Sequence, residues 1–247
     1  EIASCLVGSE MCIRDRDKDL LDAEIFDCGD LELCFGSPES ALNDIEKMTE
    51  NIISDGKLPI MIGGEHLVTL GAVRAAVKKY PDLRIVHFDA HADLRDDYLG
   101  QKLSHACVMR RCHELLGDGK IFQFGIRSGD REEFLWGREH VYTNRFDFSG
   151  IERIKEKTGD RPVYFTLDLD VLDPSCFCGT GTPEAGGVSY NELIKAIEKV
   201  SELNVIGLDI NELSPTLDQS GASTALACKL LREILLYFYL SLIHISE

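Results

Sequence analysis

Four polar clusters in this 247-residue chain hold residue types that can do chemistry, and each directly follows a short apolar run. Gly63-Gly64-Glu65-His66 follows Ile60–Ile62, and Asp89-Ala90-His91-Ala92-Asp93 follows Arg84–Phe88. Asp168-Leu169-Asp170 follows Val163–Leu167, and Asp209-Ile210-Asn211-Glu212 follows Val205–Leu208. In extended backbone alternate residues point the same way, so Asp89, His91 and Asp93 can converge on one point. Asp168 and Asp170 repeat the device from a second strand. Gathering these carboxylates and imidazoles at one edge is prohibitive unless cations neutralise them. Carboxylate and imidazole donors without a thiolate favour Mn²⁺ or a similar ion over structural zinc. A lone Asp-x-His also occurs by chance in helix caps and turns; the Asp-x-Asp and Gly-Gly-x-His beside it set this pattern apart.

The elements that must position these clusters are legible in the same way. Ile121–Gly125 is a fifth candidate strand, and all five runs are near-continuously apolar, as in a parallel sheet covered by helices on both faces. Helical stripes lie between them: Leu42, Ile45, Met48 and Ile52; Leu67, Leu70, Val73 and Val77; Leu193, Ile197 and Val200; Leu226, Leu230, Ile234 and Phe238. The expected fold class is α/β, a three-layer α/β/α domain with a mostly parallel central sheet and no internal repeat. Open sheets of this kind place ligands beyond the carboxyl ends of their strands, where the polar clusters fall. Segment 173–189, rich in glycine, is expected as a long functional loop.

Composition narrows the partners. With 26 Lys plus Arg against 43 Asp plus Glu the net charge is −17, which repels phosphate backbones and anionic lipid and suits a cationic small molecule. Neither nucleic acid nor a membrane is expected as a partner. Nine cysteines without a Cys-x-x-Cys pair read as reduced thiols of a cytoplasmic protein. The longest apolar run, Ile234 to Ile245, is broken by Ser241 and His244 and falls short of the roughly 20 residues of a spanning helix. Residues 1–16 lack helical, strand or turn logic and, with the terminal SLIHISE, resemble translated sequencing-adapter read-through. The expected division is therefore an extraneous segment 1–16, one N-terminally truncated domain over 17–240, and an extraneous tail 241–247.

The motifs GGEH, DAHAD, SHACVMRR, DLDVLDP with GTGTPEAGG, and DINE occur in the order seen in the ureohydrolases, the arginases and agmatinases, and the chain resembles that family over roughly residues 20–240. The resemblance implies an α/β/α hydrolase of linear amidines with two Mn²⁺ per subunit. It implies that His66, Asp89, Asp93 and Asp168 bind one ion, and Asp89, His91, Asp168 and Asp170 the other. A metal-bridging hydroxide then attacks the guanidinium carbon, a task for which two metals are suited because they acidify water. By the same resemblance Asp93 holds the hydroxide and passes its proton on, and Glu212 faces the guanidinium with charge-assisted hydrogen bonds. Thr182 supports that glutamate, and His105 shuttles protons to solvent. A homotrimer or homohexamer is implied as well.

Within the family, Gly100-Gln101-Lys102-Leu103-Ser104-His105 lacks the Ser-Gly-Asn pattern with which arginases grip an α-carboxylate. Gly125-Ile126-Arg127-Ser128 and Gly181-Thr182-Pro183-Glu184 look agmatinase-like. The expected reaction is agmatine plus water to putrescine plus urea, a step of polyamine biosynthesis. Guanidinobutyrase, guanidinopropionase or arginase activity, or a non-catalytic amine-binding homologue, are the alternatives. Among other residues, His87 is expected in the core or behind the ligands, and His113 and His140 on the surface. Cys176 and Cys178 are expected as reduced thiols, and Phe134 and Trp136 as packing residues.

Overall fold

A computed structural model describes residue 20 and residues 23–244, with side chains through residue 238. The expected segment 1–16 and residues 245–247 lie outside the described residues, whereas residues 241–244 continue the last helix. Six strands form a single sheet in the order β1-β6-β5-β2-β3-β4, and every pairing is parallel. The strands are β1 Ile60–Ile62, β2 Arg84–Phe88, β3 Ile121–Ile126, β4 Tyr142–Arg145, β5 Val163–Asp168 and β6 Val205–Asn211. The helices are α1 Pro38–Ser54, α2 Val68–Lys79, α3 Val108–Leu116, α4 Arg131–His140, α5 Ile154–Thr158, α6 Tyr190–Ser201 and α7 Ala222–His244. No helix among the described residues is long and apolar enough to cross a membrane.

Alternation along each strand builds two cores. Val86 and Phe88 of β2, Phe122 and Phe124 of β3, and Val163, Phe165 and Leu167 of β5 face one side, where α6 and α7 contribute Leu193, Ile197, Leu230 and Ile234. Ile85, Ile121, Ile126 and Tyr164 face the other, against Leu42, Ile45, Leu70, Val73 and Val108 from α1, α2 and α3. Both faces are therefore dry, which is why the strands read as unbroken apolar runs.

Three helices and one strand were not among the expected elements. β4 is four residues, Tyr-Thr-Asn-Arg, at the end of the sheet, too polar and short to announce itself. α4 begins with a capping box, in which Asp130 accepts from Glu133 N and Glu133 accepts from Asp130 N, and it buries only Glu133 and Gly137. α5 is little more than a turn, and α3 is short. The apolar face of α1 also differs by one position, since Leu42, Ile45, Thr49 and Ile53 are buried while Met48 and Ile52 flank them. Segment 173–189 is irregular as expected, tied down by a bridge between Leu172 and Val188.

Strand order sets the position of the site. From β2 the chain moves outward through β3 and β4, then returns to the other side of β2 for β5 and β6. β2 and β5 are thus the neighbours between which the winding reverses, and the crevice beyond their carboxyl ends is where such sheets bind ligands. Behind this crevice α1 and α2 pack unusually close. A Cβ on Gly71 of α2 would stand 2.9 Å from Ile45 Cβ and from the Leu42 carbonyl oxygen. Gly71→Ala is therefore expected to destabilise the fold by about 1–3 kcal/mol through overpacking, read as a lower denaturant midpoint at unchanged slope. An unchanged midpoint would mean that the two helices separate without cost.

Candidate metal centre

The end of β2 and the end of β5 deliver their carboxylates to one buried locus, into which the turn before α2 inserts His66. His66 Nδ1 lies 3.1 Å from Asp89 Oδ2, 3.3 Å from Asp93 Oδ2 and 3.2 Å from Asp168 Oδ2. It makes a well-formed hydrogen bond to none of them, although the ring is 1% exposed. Beside it His91 Nδ1 stands 2.9 Å from Asp170 Oδ2 and 3.6 Å from Asp89 Oδ1. The two oxygens of Asp89 thus face two separate groups, and two clusters able to hold a metal, His66-His87-Asp89-Asp93 and Asp89-His91-Asp170, share that residue. Backbone amides fix the orientation of these carboxylates: His91 N donates to Asp89 at 2.5 Å, Ala90 N to Asp170 at 3.0 Å, and Asp170 N to Asp168 at 2.8 Å.

The buried network behind His66 shows what its free nitrogen is for. Its other nitrogen, Nε2, is 2.9 Å from Thr166 Oγ1. Thr166 Oγ1 is in turn 3.3 Å from Thr69 Oγ1, and beside them Asp209, whose pKa burial raises, accepts from Tyr164 Oη at 2.8 Å and Asn211 Nδ2 at 2.7 Å. Thr166 thus holds the Nε2 side of the ring and leaves Nδ1 aimed at three carboxylate oxygens. Burial disfavours charge on His66, yet the hydrogen bonds of Asp168, Asp89 and Asp93 raise its pKa well above the usual imidazole range, so the position calls for a cation, a proton or a metal ion. The donor set fits a metal ion. Without ions the same demand falls on protons. Burial and the charges of Asp170 and Asp89 push Asp168 well above the usual carboxylate range. Burial and Asp89 raise Asp93 to about 7. Burial disfavours charge on His91, yet hydrogen bonds to Asp170 and Asp89 raise it to about 11.

His87, expected in the core or behind the ligands, is fully buried and bonds Asp89 Oδ2 through Nε2 at 2.7 Å. Gln123 donates to His87 Nδ1 at 3.0 Å and to the Ala92 carbonyl at 2.7 Å, while its own oxygen accepts from Thr143. The amide orientation therefore places the His87 proton on Nε2, where it can only donate to Asp89. Burial lowers His87 below the ordinary imidazole range and keeps the ring neutral. Thr166 and Gln123 are each a single polar residue on an apolar strand, and only full burial reveals their task. Asp209 belongs to the cluster that ends in Glu212, but its place behind His66 follows from the assembled sheet.

The locus opens into a cavity of about 260 Å³ walled by His91, Asp93, Tyr98, His105, Thr182 and Glu212. Asp93 and Glu212 hold left-handed backbone, φ 55° and φ 67°, which costs a non-glycine residue of order 1 kcal/mol and recurs at functional sites. Glu212 Oε1 accepts from His66 N at 2.7 Å, and burial lifts its pKa. His105 stands apart from the aspartates, half-exposed, with its N–H and Nδ1 on Glu65 Oε1 at 2.6 and 3.2 Å. The Glu65 hydrogen bond raises the His105 pKa. Thr182 reaches Asp170 at 3.4 Å rather than Glu212. Arg95, the cation of the wall, is already engaged, with Nε 3.3 Å from Glu133 and 3.7 Å from Asp130. Across the rim, Arg127 donates to the carbonyls of Asp170 and Glu184, both at 2.7 Å, and of Val171 at 3.1 Å, stitching segment 173–189 to the end of β5.

Known proteins share this arrangement of chain. A solved structure from Clostridium difficile superposes with a TM-score of 0.92 at 46% identity, over 96% of this chain and 88% of that one. The agmatine ureohydrolase of Thermoplasma volcanium gives a TM-score of 0.85 at 38% identity, over 96% and 81%. The agmatinase of Bacillus subtilis is 46% identical across 90% of this chain and 78% of its own length. The guanidinobutyrase of Pseudomonas aeruginosa is 34% identical across 85% and 70%. The arginase family model matches residues 3–237. By sequence and by fold alike, the chain belongs to the arginase family, the ureohydrolases.

Proposed function

We propose that this protein is a binuclear, manganese-dependent agmatinase that converts agmatine and water to putrescine and urea. The observation that carries the reading is the buried His66 Nδ1, without a well-formed hydrogen bond, among three buried carboxylate oxygens at the floor of a cavity. Similarity to agmatinases at 46% identity supports the substrate. His66, Asp89, Asp93 and Asp168 would hold one ion, and Asp89, His91, Asp168 and Asp170 the other. Four aspartates then meet two divalent charges, and the locus is neutral. When bound, the ions supply water acidic enough to be a nucleophile near neutral pH.

The chain's own groups handle substrate and protons. Glu212 keeps one oxygen on His66 N and has the other for the planar guanidinium, whose charge answers the unfavourable burial of the carboxylate. The water oxygen bonds to the guanidinium carbon, the bond from that carbon to the nitrogen bearing the aminobutyl chain breaks, and the departing amine takes a proton. Asp93, at the cavity wall, receives the proton of the water and hands it on. His105, with Nδ1 held by Glu65, exchanges protons with solvent through Nε2. A cytoplasmic setting belongs to the same reading, since nine cysteines without a Cys-x-x-Cys pair suit a reducing compartment.

The substrate tail is read at the rim. Before His105 the chain makes a tight turn, Tyr98 to Gln101, with Leu99 and Gly100 both at positive φ, and neither central side chain can bind a carboxylate. Arg95 is the specific feature favouring 4-guanidinobutyrate as second reading, but it would first have to leave Glu133 and Asp130. After manganese loading, kcat/KM for agmatine should exceed that for arginine at least about a hundredfold, since a desolvated α-carboxylate costs a few kcal/mol. Arginine as the better substrate would refute the agmatinase reading, and guanidinobutyrate would replace it while leaving the chemistry intact.

Two substitutions test the centre itself. Asp168→Asn should bind fewer manganese equivalents by elemental analysis and lose nearly all urea release, and full occupancy with normal turnover would refute the binuclear reading. Thr166→Val should weaken manganese binding about 10–100-fold in a direct titration while the fold stays intact, because His66 loses the hydroxyl that orients its ring. Thr166→Ser should restore it. Equal affinity in valine and serine variants would remove Thr166 from this role.

A further inference from the structure

At the opposite end of the sheet, where β3 and β4 begin, three side chains from separate segments meet. They are His113 in the last turn of α3, Asp118 in the loop to β3, and His140 at the end of α4. Asp118 Oδ1 is 2.8 Å from His113 Nε2 and 2.6 Å from His140 Nδ1, and the donor atoms of all three lie within 4.8 Å of one another. We propose that His113, Asp118 and His140 form a second metal site, distinct from the aspartate-rich centre, that takes one borderline transition-metal ion of the zinc class.

Three observations carry this. The donors are two imidazole nitrogens and one carboxylate oxygen, the three-ligand set of open zinc sites, with water for the fourth position. That balance favours zinc, copper or nickel, whereas the carboxylate-dominated centre favours manganese. The rings are also held in place before any ion arrives. Trp136 stacks on His140 at 4.2 Å and meets His113 edge-on at 4.7 Å, with the Arg110 guanidinium 3.7 Å over its other contact surface. Gly119 N donates to the His140 carbonyl at 2.8 Å, fastening the loop that carries Asp118 to the end of α4. Finally, the site is open on one side only: the histidine side chains are 15% and 27% exposed and Asp118 is 67% exposed, so an ion can enter from solvent and meet fixed rings. Hydrogen bonds from His140 and His113 hold the Asp118 carboxyl below its usual range and keep it ionised. An ion takes the place of the two ring protons on Asp118, and each ring binds it neutral, with its single proton moved by exchange with solvent to its other nitrogen. Bound there, it joins α3, α4 and the entry to β3 across the end of the sheet.

Trp136 is the single tryptophan of the chain and touches both rings, so its emission reports the site directly. Metal-stripped protein is titrated with Zn²⁺, and with Cu²⁺ as a quencher, alongside equilibrium dialysis to count bound ions. A saturable change in Trp136 emission is expected in the parent protein and in Asp168→Asn. His140→Asn and the solvent-facing Asp118→Asn should weaken it at least tenfold and each bind one zinc equivalent fewer, while their manganese-loaded urea release stays unchanged. No saturable change in the parent, a change that survives in Asp118→Asn and His140→Asn, or one lost in Asp168→Asn would overturn the proposal. Because Asp118 is exposed, its variant decides the matter even if His140→Asn does not fold.

Discussion

Everything around the crevice answers to one problem: four aspartates and two histidines brought within a few ångströms of each other, the aspartates and His66 almost wholly buried. Such a group cannot stay charged without compensation. The fold meets the constraint by building the locus where two strand ends from opposite windings of the sheet meet, so that neighbouring backbones supply amide donors to Asp89, Asp168 and Asp170. What the amides leave unbalanced has the sign and size of bound cations.

A layer of neutral polar residues translates that demand into geometry. On one side Thr69, Thr166 and His66 form a line of buried contacts that orients the imidazole. On the other, Thr143, Gln123, His87 and Asp89 form a second. Both lines are anchored in strands or a helix rather than loops, and both end on the atoms facing the locus. In the second line the directionality comes from residues that have only one way to satisfy their partners.

Much of this was legible before any coordinates. Asp-x-His-x-Asp after β2 and Asp-x-Asp after β5 have the period of extended chain, so their convergence follows from backbone geometry alone. The unbroken apolar runs state that both sheet faces are covered. What stayed hidden has a common character. Thr166 and Gln123 sit inside apolar strands, where one polar residue is indistinguishable from an outward-facing one until the sheet is assembled. β4, with Tyr142, Thr143, Asn144 and Arg145, carries no periodicity because it borders a single neighbour. Thr182 lies on an irregular segment whose path no local pattern encodes, and its contact with Asp170 rather than Glu212 depends on that path. His113 and His140, expected on the surface, are only partly exposed, and a separation of 27 positions in the chain conceals that they meet.

The Arg127 guanidinium has a further bearing on how such a protein can change. By holding the carbonyls of Asp170 and Glu184 together it makes segment 173–189 mechanically continuous with a strand end of the buried locus. Remodelling that segment to admit a different molecule would strain the aspartates beneath it. The Tyr98–Gln101 turn is tied more lightly: its backbone hydrogen bonds close on itself, Tyr98 packs on His105 and Arg95, Cys107 Sγ reaches the Gln101 carbonyl, and Leu99 projects into solvent. New substrate tails are therefore more readily accommodated from the Leu99 side of the mouth, where sequence can drift without disturbing the chemistry below. The two rims of one cavity differ in their freedom to evolve.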